Sequence, residues 1–259
     1  MPDERNELLF SVEGLAKAFA EKQVLRNVTF DVPHGAATVL IGPSSSGKSV
    51  LFKCLLGLMA PDGGRIAVEG RDRAALSGEE LEALLDRVGV AFQQNALFDS
   101  MSCWENVAFR LLQRGSCSRK EARERAVEVI GRFGLRPEVA DRFPAEISGG
   151  MQKRIALARA FVSNPRVLML DAPTDGLDPI MTRHTNQHIR AAVEGGTTVF
   201  MITADMRAAQ EFSDRLMMLY DGEIIWSGST GEARQAEEPR LKQLLEGRSD
   251  GPIRMAVRA

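Results

Sequence analysis

The run Gly42-Pro43-Ser44-Ser45-Ser46-Gly47-Lys48-Ser49 satisfies G-x-x-x-x-G-K-[ST] at every fixed position, and no other stretch restricts the possible folds as strongly. Ala37 to Ile41, just upstream, is apolar and rich in β-branched residues. Val50 to Leu58, just downstream, has helical apolar spacing, so the glycines fall at a strand-to-helix turn. In such a turn the backbone N–H groups converge on an anion, and the helix N-terminus adds partial positive charge. Lys48 would neutralise nucleotide β and γ phosphates, and Ser49 would offer a hydroxyl to Mg²⁺.

The 259 residues, 44% of them hydrophobic, suffice for a sizeable core and argue against disorder. With 33 basic and 35 acidic residues the formal net charge is -2, so nucleic acid is not an expected partner. Cys54, Cys103 and Cys117 are odd in number and lack C-x-x-C spacing, which suits a reducing compartment, most simply the cytoplasm. The N-terminus is acidic, the cluster Leu8-Leu9-Phe10 is too short for a signal sequence, and no run approaches the ~20 apolar residues of a membrane span. Any membrane role must therefore come through a partner.

Alternation from Leu8 to Val32 predicts a small antiparallel sheet, and Pro33-His34-Gly35 a turn. Turns are expected at Pro61–Gly64 and Glu69–Asp72, with a strand from Arg65 to Val68 between them. Ser77 and Glu80, and again Ser118 and Glu121, have capping-box spacing at helix starts. Between about Ser100 and Val162 the pattern is helical, which reads as an inserted subdomain. From Arg166 strands and helices alternate again, as in a mostly parallel sheet covered by helices. Beyond Gly228 the tail is charged, with one helical candidate from Pro239 to Leu245 and an end rich in small and basic residues.

Two further runs carry chemistry. Arg166 to Asp171 is a buried strand ending in a carboxylate, the group a nucleotide-bound Mg²⁺ needs at the carboxyl edge of a sheet. Ile147-Ser148-Gly149-Gly150-Met151-Gln152 opens a helix, where a hydroxyl, backbone N–H groups and the dipole can bind phosphate, or where the serine is simply an N-cap.

In this order and separation the three runs resemble those of the ATP-binding-cassette (ABC) ATPases, over almost the whole chain. The resemblance implies an α/β P-loop NTPase core with a mostly parallel sheet, a small antiparallel β subdomain and an inserted helical subdomain. It places the ATPase domain at 1–228, the helical subdomain at about 100–162, and a C-terminal extension, a possible dimer contact, at 229–259. ATP and Mg²⁺ are the implied cofactors. Gly42, Ser44, Ser45, Ser46, Gly47, Lys48, Ser49 and Val50 match the Walker A region, and Val167 to Asp171 match Walker B. Ser148, Gly149 and Gly150 match the signature, and Gly176-Leu177-Asp178 the D-loop. Gln93 matches the glutamine that, with Ser49 and Asp171, reaches the metal and senses the membrane partner. Phe19 matches the aromatic that stacks on adenine, with a place in the small-sheet core as the alternative. The family pairs two cassettes head to tail, so a second copy, most simply in a homodimer, is implied. So are integral membrane permease subunits, with the groove around Gln93 to Val107 receiving one of their helices.

A narrower resemblance rests on Asn95 to Met101, Trp104 to Ala108, the signature form Ser148-Gly149-Gly150-Met151, and the tail Pro239–Gly247 with Asp250-Gly251-Pro252. These look like the ATPase subunits of MCE-type lipid transporters, which implies an MCE-domain lipid-binding subunit, a place on the cytoplasmic face of the inner membrane, and a tail that crosses to the other ATPase.

The chain departs from the family at two positions dedicated to hydrolysis. Asp171 is followed by Ala172, where the family has the glutamate that orients the attacking water, and Ala204 replaces the histidine that contacts the γ-phosphate. A positioned acid or base is worth ~10²–10⁴ in rate, or about 3 to 5.5 kcal/mol, so slow or absent turnover is expected. Asp175 and Asp205 are the nearest substitutes, both short. Ser45 stands where the family usually has glycine, and Ile147 where it has leucine. Loss confined to these two alanines fits either an engineered pair that holds ATP or a natural degenerate subunit. Three functional readings follow: an ATPase subunit of a lipid transporter impaired in hydrolysis, a subunit for another substrate, or a nucleotide-sensing regulatory module. His184 and His188 are spaced i, i+4, which an outer helix face explains better than a metal pair, and His34 is expected to be solvated.

Overall fold

The computed structural model describes residues 8–254; the acidic N-terminal residues and the last five of the tail lie outside the described residues. The chain runs β1 (Leu8–Phe19), β2 (Lys22–Pro33), β3 (Ala37–Ile41), α1 (Lys48–Leu55), β4 (Gly63–Val68), β5 (Arg71–Asp72), α2 (Gly78–Leu85) and β6 (Val88–Ala91). Next come α3 (Cys103–Gln113), α4 (Arg119–Arg132), α5 (Gly149–Phe161), β7 (Val167–Asp171), α6 (Pro179–Glu194) and β8 (Thr198–Ile202). The chain continues through α7 (Met206–Phe212), β9 (Arg215–Tyr220), β10 (Glu223–Ser229), α8 (Thr230–Ala233) and α9 (Pro239–Glu246). Two compact units divide it: the chain up to Glu82 together with Ile202 onward, and Ala83–Met201. No described helix is long and apolar enough to cross a membrane.

In the first unit β2-β1-β4-β5 form a sheet in which β1 lies antiparallel to both β2 and β4. Val12, Leu15, Val28, Phe30 and Val32 are buried, as the alternation requires. The expected turn at Glu69–Asp72 is shorter than the sequence suggests. Glu69 (φ 48°) and Gly70 (φ 75°) are both left-handed, the requirement of a two-residue hairpin, so Arg71 and Asp72 already pair with Val68 and Ala67. Likewise Gly63 and Gly64 belong to β4 rather than to a turn. The strands β10-β9-β3 lie side by side, β3 parallel to β9, and every residue of β3 is buried, which is why its sequence is apolar except for Thr38. The tail helix α9 packs on α7: Leu241 is fully buried, and the Gln243 amide accepts from Ile253 N (2.7 Å) and donates to Ile253 O (3.1 Å).

In the second unit β8, β7 and β6 run in that order, with β6 parallel to β7. Ala122, Ala126, Val129, Ile130 and Phe133 form the buried face of α4, and Phe133 meets Phe161 edge-on at 5.3 Å. Both expected capping boxes are present, and Ser102–Glu105 and Ser229–Glu232 form two more. Glu105 accepts from Ser102 N (3.0 Å) and Oγ (2.7 Å) and pairs with Arg119, so a charge reversal there would also uncap α3. Gly89 has no room for a side chain: a Cβ would lie 2.0 Å from the Ala160 carbonyl oxygen. Gly89→Ala is expected to destabilise by about 1–3 kcal/mol through overpacking, read as a lowered denaturation midpoint.

Candidate functional site

The first unit carries the glycine-rich turn Gly42–Ser49. Gly42, at φ 153°, sits so near Leu219 that a Cβ would fall 2.1 Å from its carbonyl oxygen. Gly47 (φ 106°) is the N-cap of α1, where no side chain caps the helix and no acidic residue occupies the first turn. That end is uncapped, as an anion site requires, and a Cβ on Gly47 would meet Val24 O at 2.9 Å. Lys48 Nζ lies across the turn, donating to Gly42 O (2.8 Å) and Pro43 O (2.7 Å), with Ser46 Oγ at 3.4 Å. A cleft of about 290 Å³ opens here, lined by Lys22, Ser45, Gly47, Lys48, Ser49 and Asp221 among others. Ser45 is left-handed at φ 65°, which supplies the physical reason for glycine at this place in related turns. Ser45→Gly is expected to stabilise the chain by about 1 kcal/mol, the cost of a Cβ in that conformation, measured as a raised midpoint.

Phe19 ends β1 with 45% of its surface exposed and the Lys17 ammonium 5.6 Å from its ring centre. The alternative place in the small-sheet core is thereby excluded. Ala204 is exposed, and its methyl group has no proton to give or take. Asp205 beside it is spent on the helix: its Oδ1 accepts from Ala208 N (3.0 Å) as the N-cap of α7. His34 is exposed, as expected, with Glu69 Oε1 4.0 Å away.

The second unit carries the strand-end carboxylate and the signature. Asp171 closes β7, only 6% exposed, and Ala172 follows it at φ 50°, equally buried. Gln93 is exposed beyond the end of β6. Ser148 and Gly149 are exposed at the start of α5; Ser148 Oγ accepts from Met151 N at 3.4 Å, so the serine is an N-cap, and no acidic residue lies in the first turn. Asp178 caps α6, its Oδ1 accepting from Ile180 N and Met181 N at 2.9 Å each. The histidine pair is not an outer face. His188 packs against Phe133 at 5.2 Å, places Nε2 2.8 Å from Arg132 O, and has its pKa pushed down by burial, with His184 edge-on at 4.6 Å.

Sequence reasoning missed Lys153. It is 4% exposed on α5, and its ammonium donates to Gln93 O (2.9 Å) and Ala172 O (3.1 Å). Burial pulls its pKa down, against the opposing pull of Asp175 and Asp171. The available signal was periodicity: Lys153 shares a helix face with the buried Ala156, Leu157 and Ala160.

The residues present fit a nucleotide and its metal. In the first unit the uncapped α1 N-terminus with Lys48 suits phosphate and Ser49 offers a hydroxyl; in the second, the Gln93 amide oxygen and the Asp171 carboxylate are, by chemistry, hard oxygen donors of the kind Mg²⁺ takes.

Residues 25–175 match the family model described as ABC transporter. The chain is 39% identical to the protein Trigalactosyldiacylglycerol 3, chloroplastic, of Arabidopsis thaliana, over 96% of this chain and 76% of that one. It is 37% identical to the probable ribonucleotide transport ATP-binding protein mkl of Mycobacterium leprae, over 95% and 71%. Identity to the intermembrane phospholipid transport system ATP-binding protein MlaF of Haemophilus influenzae is 32%, over 96% and 94%. A dimeric ATP-binding cassette in a post-hydrolysis state with ADP and Pi superposes with a TM-score of 0.80 at 30% identity, covering 85% of this chain and 98% of that one. The α/β fold with its small antiparallel sheet is thus the ABC ATPase fold. From the match over residues 25–175 and the identity to relatives across nearly its whole length, the chain belongs to the ABC transporter family and is one of its ATPases.

Proposed function

We propose that the chain is the nucleotide-binding subunit of a lipid-transporting complex and holds Mg-ATP without cutting it efficiently. The observation that carries this reading is selective loss: the Gly42–Ser49 turn is intact and open to an anion, whereas Ala172 and Ala204 stand where a base and a γ-phosphate contact are needed. Bound Mg²⁺ would neutralise the phosphates and polarise the bond to the terminal one. Lys48, Ser44, Ser46 and the main chain from Gly47 to Val50 would hold the phosphates, Phe19 the base, and Ser49, Gln93 and Asp171 the metal. Ser148, Gly149, Gly150 and Asp178 would complete the site of a second copy across a two-fold axis, in a homodimer peripheral to the cytoplasmic face of the inner membrane. Permease subunits and an MCE-domain subunit are the proposed membrane partners, and the 229–259 extension a contact between the ATPases. The lipid assignment is supported by two relatives whose names carry a galactolipid and phospholipid transport.

The test is purification of the complex with its membrane partners, lipid identification, and phosphate release with Mg-ATP. Co-purified lipid, tight Mg-ATP binding and little phosphate are expected; robust turnover by the unmodified chain would sink the impairment. A second reading, transport of a different cargo, is favoured by the relative named for ribonucleotide transport, and a complex devoid of lipid would select it.

A further inference from the structure

We infer that Lys153 is a positioning residue for the nucleotide site: its buried ammonium fixes the main chain at Gln93 and at residue 172 in one mutual geometry and ties both to the helix that begins at Ser148. The inference rests on the proposed function in so far as Gln93 and residue 172 belong to that site. The two tethered carbonyls leave the carboxyl ends of neighbouring parallel strands, where Ala91 of β6 stands opposite Leu170 of β7. Beyond those ends the main chain is irregular: Ala172, Asn95 and Ala96 have φ of 50°, 61° and 49°. Such conformations persist only where the surroundings over-determine them. Lys153 supplies one restraint, with bonds of 2.9 and 3.1 Å from a side chain 4% exposed. Arg159, six residues along the same helix, supplies another: Nη1 donates to Ala96 O and Nη2 to Asn95 O, each at 2.7 Å.

Burying an ammonium is costly unless it is well bonded, and a helix lysine that merely needed solubility would point outward. Here α5 turns two cations inward onto the same loop. The N-terminus of the same helix, about one turn before Lys153, exposes Ser148 and Gly149, so a shift of the Gln93 loop pulls on the signature through that turn.

The test has two arms. In the unmodified chain Lys153→Met should raise amide hydrogen exchange about tenfold or more at 92–97 and 172–175, while β1 and β2 exchange as before; Lys153→Arg, which keeps the donors, should restore most of the protection. In the Ala172→Glu, Ala204→His background, Lys153→Met should lower kcat ~10–100-fold with KM for ATP nearly unchanged, the mark of misplaced rather than missing groups. Unchanged local exchange, a uniform rise across the chain, or equal losses in kcat/KM and nucleotide affinity would overturn the role. If Lys153→Met does not fold, Lys153→Gln, with one donor group, takes its place in both arms. Should the background itself lack ATPase activity, the attribution of the impairment to Ala172 and Ala204 fails, and the exchange arm alone decides for or against Lys153.

Discussion

Replacing Ala172 by glutamate and Ala204 by histidine together raises ATP turnover by ~10²–10⁴, the worth of a positioned acid or base, or about 3 to 5.5 kcal/mol of barrier. The backbone tolerates both changes. Residue 172 is already left-handed at φ 50° with a Cβ in place, so glutamate adds no new backbone strain. Its carbonyl is held by Lys153, which keeps the strand end fixed. Ala204 is exposed, so an imidazole meets no packed neighbour. Asp205 would keep its place as the α7 N-cap. Phosphate release by the pure complex with Mg-ATP is the measurement. A double variant that folds and binds Mg-ATP yet releases phosphate no faster than its parent would place the defect elsewhere and favour the regulatory reading.

Lys48→Met is expected to weaken ATP binding by about 2–5 kcal/mol, or ~30- to several-thousand-fold in Kd, the usual cost of truncating one partner of a buried charged pair. In the free chain the ammonium is satisfied by Gly42 O and Pro43 O, so the substitution has two parts: stranding these carbonyls costs stability of the nucleotide-free chain, and the missing phosphate contact costs affinity. Calorimetric titration with Mg-ATP separates the variant from its parent, and the thermal midpoint without nucleotide reports the first part. Binding within threefold of the parent would remove Lys48 from the site.

The P-loop position, the boxes at Ser77 and Ser118, the buried face of α4 and the largely apolar strands β3 and β7 were legible in the sequence, because each depends on residues two to five apart. Ala172 and Ala204 were legible as departures through the family resemblance, since residue identity at a motif position needs no fold. The hairpin that makes β5 was misread as a longer turn, because pairing of Arg71 with Val68 depends on two consecutive left-handed residues, of which only the glycine announces itself.

Local pattern by itself marked a strand-to-helix turn of phosphate-binding type at Gly42–Ser49, and the family resemblance marked Ala172 and Ala204 as departures from it. Tertiary structure alone decided that Phe19 faces solvent and that Gly89 must stay bare beneath Ala160. It also decided that Lys153 bridges Gln93 and Ala172. These partners lie far apart along the chain, and sequence periodicity records only which way a side chain turns. What it meets there is fixed by the packing of the helix on strands that the pattern cannot place in space.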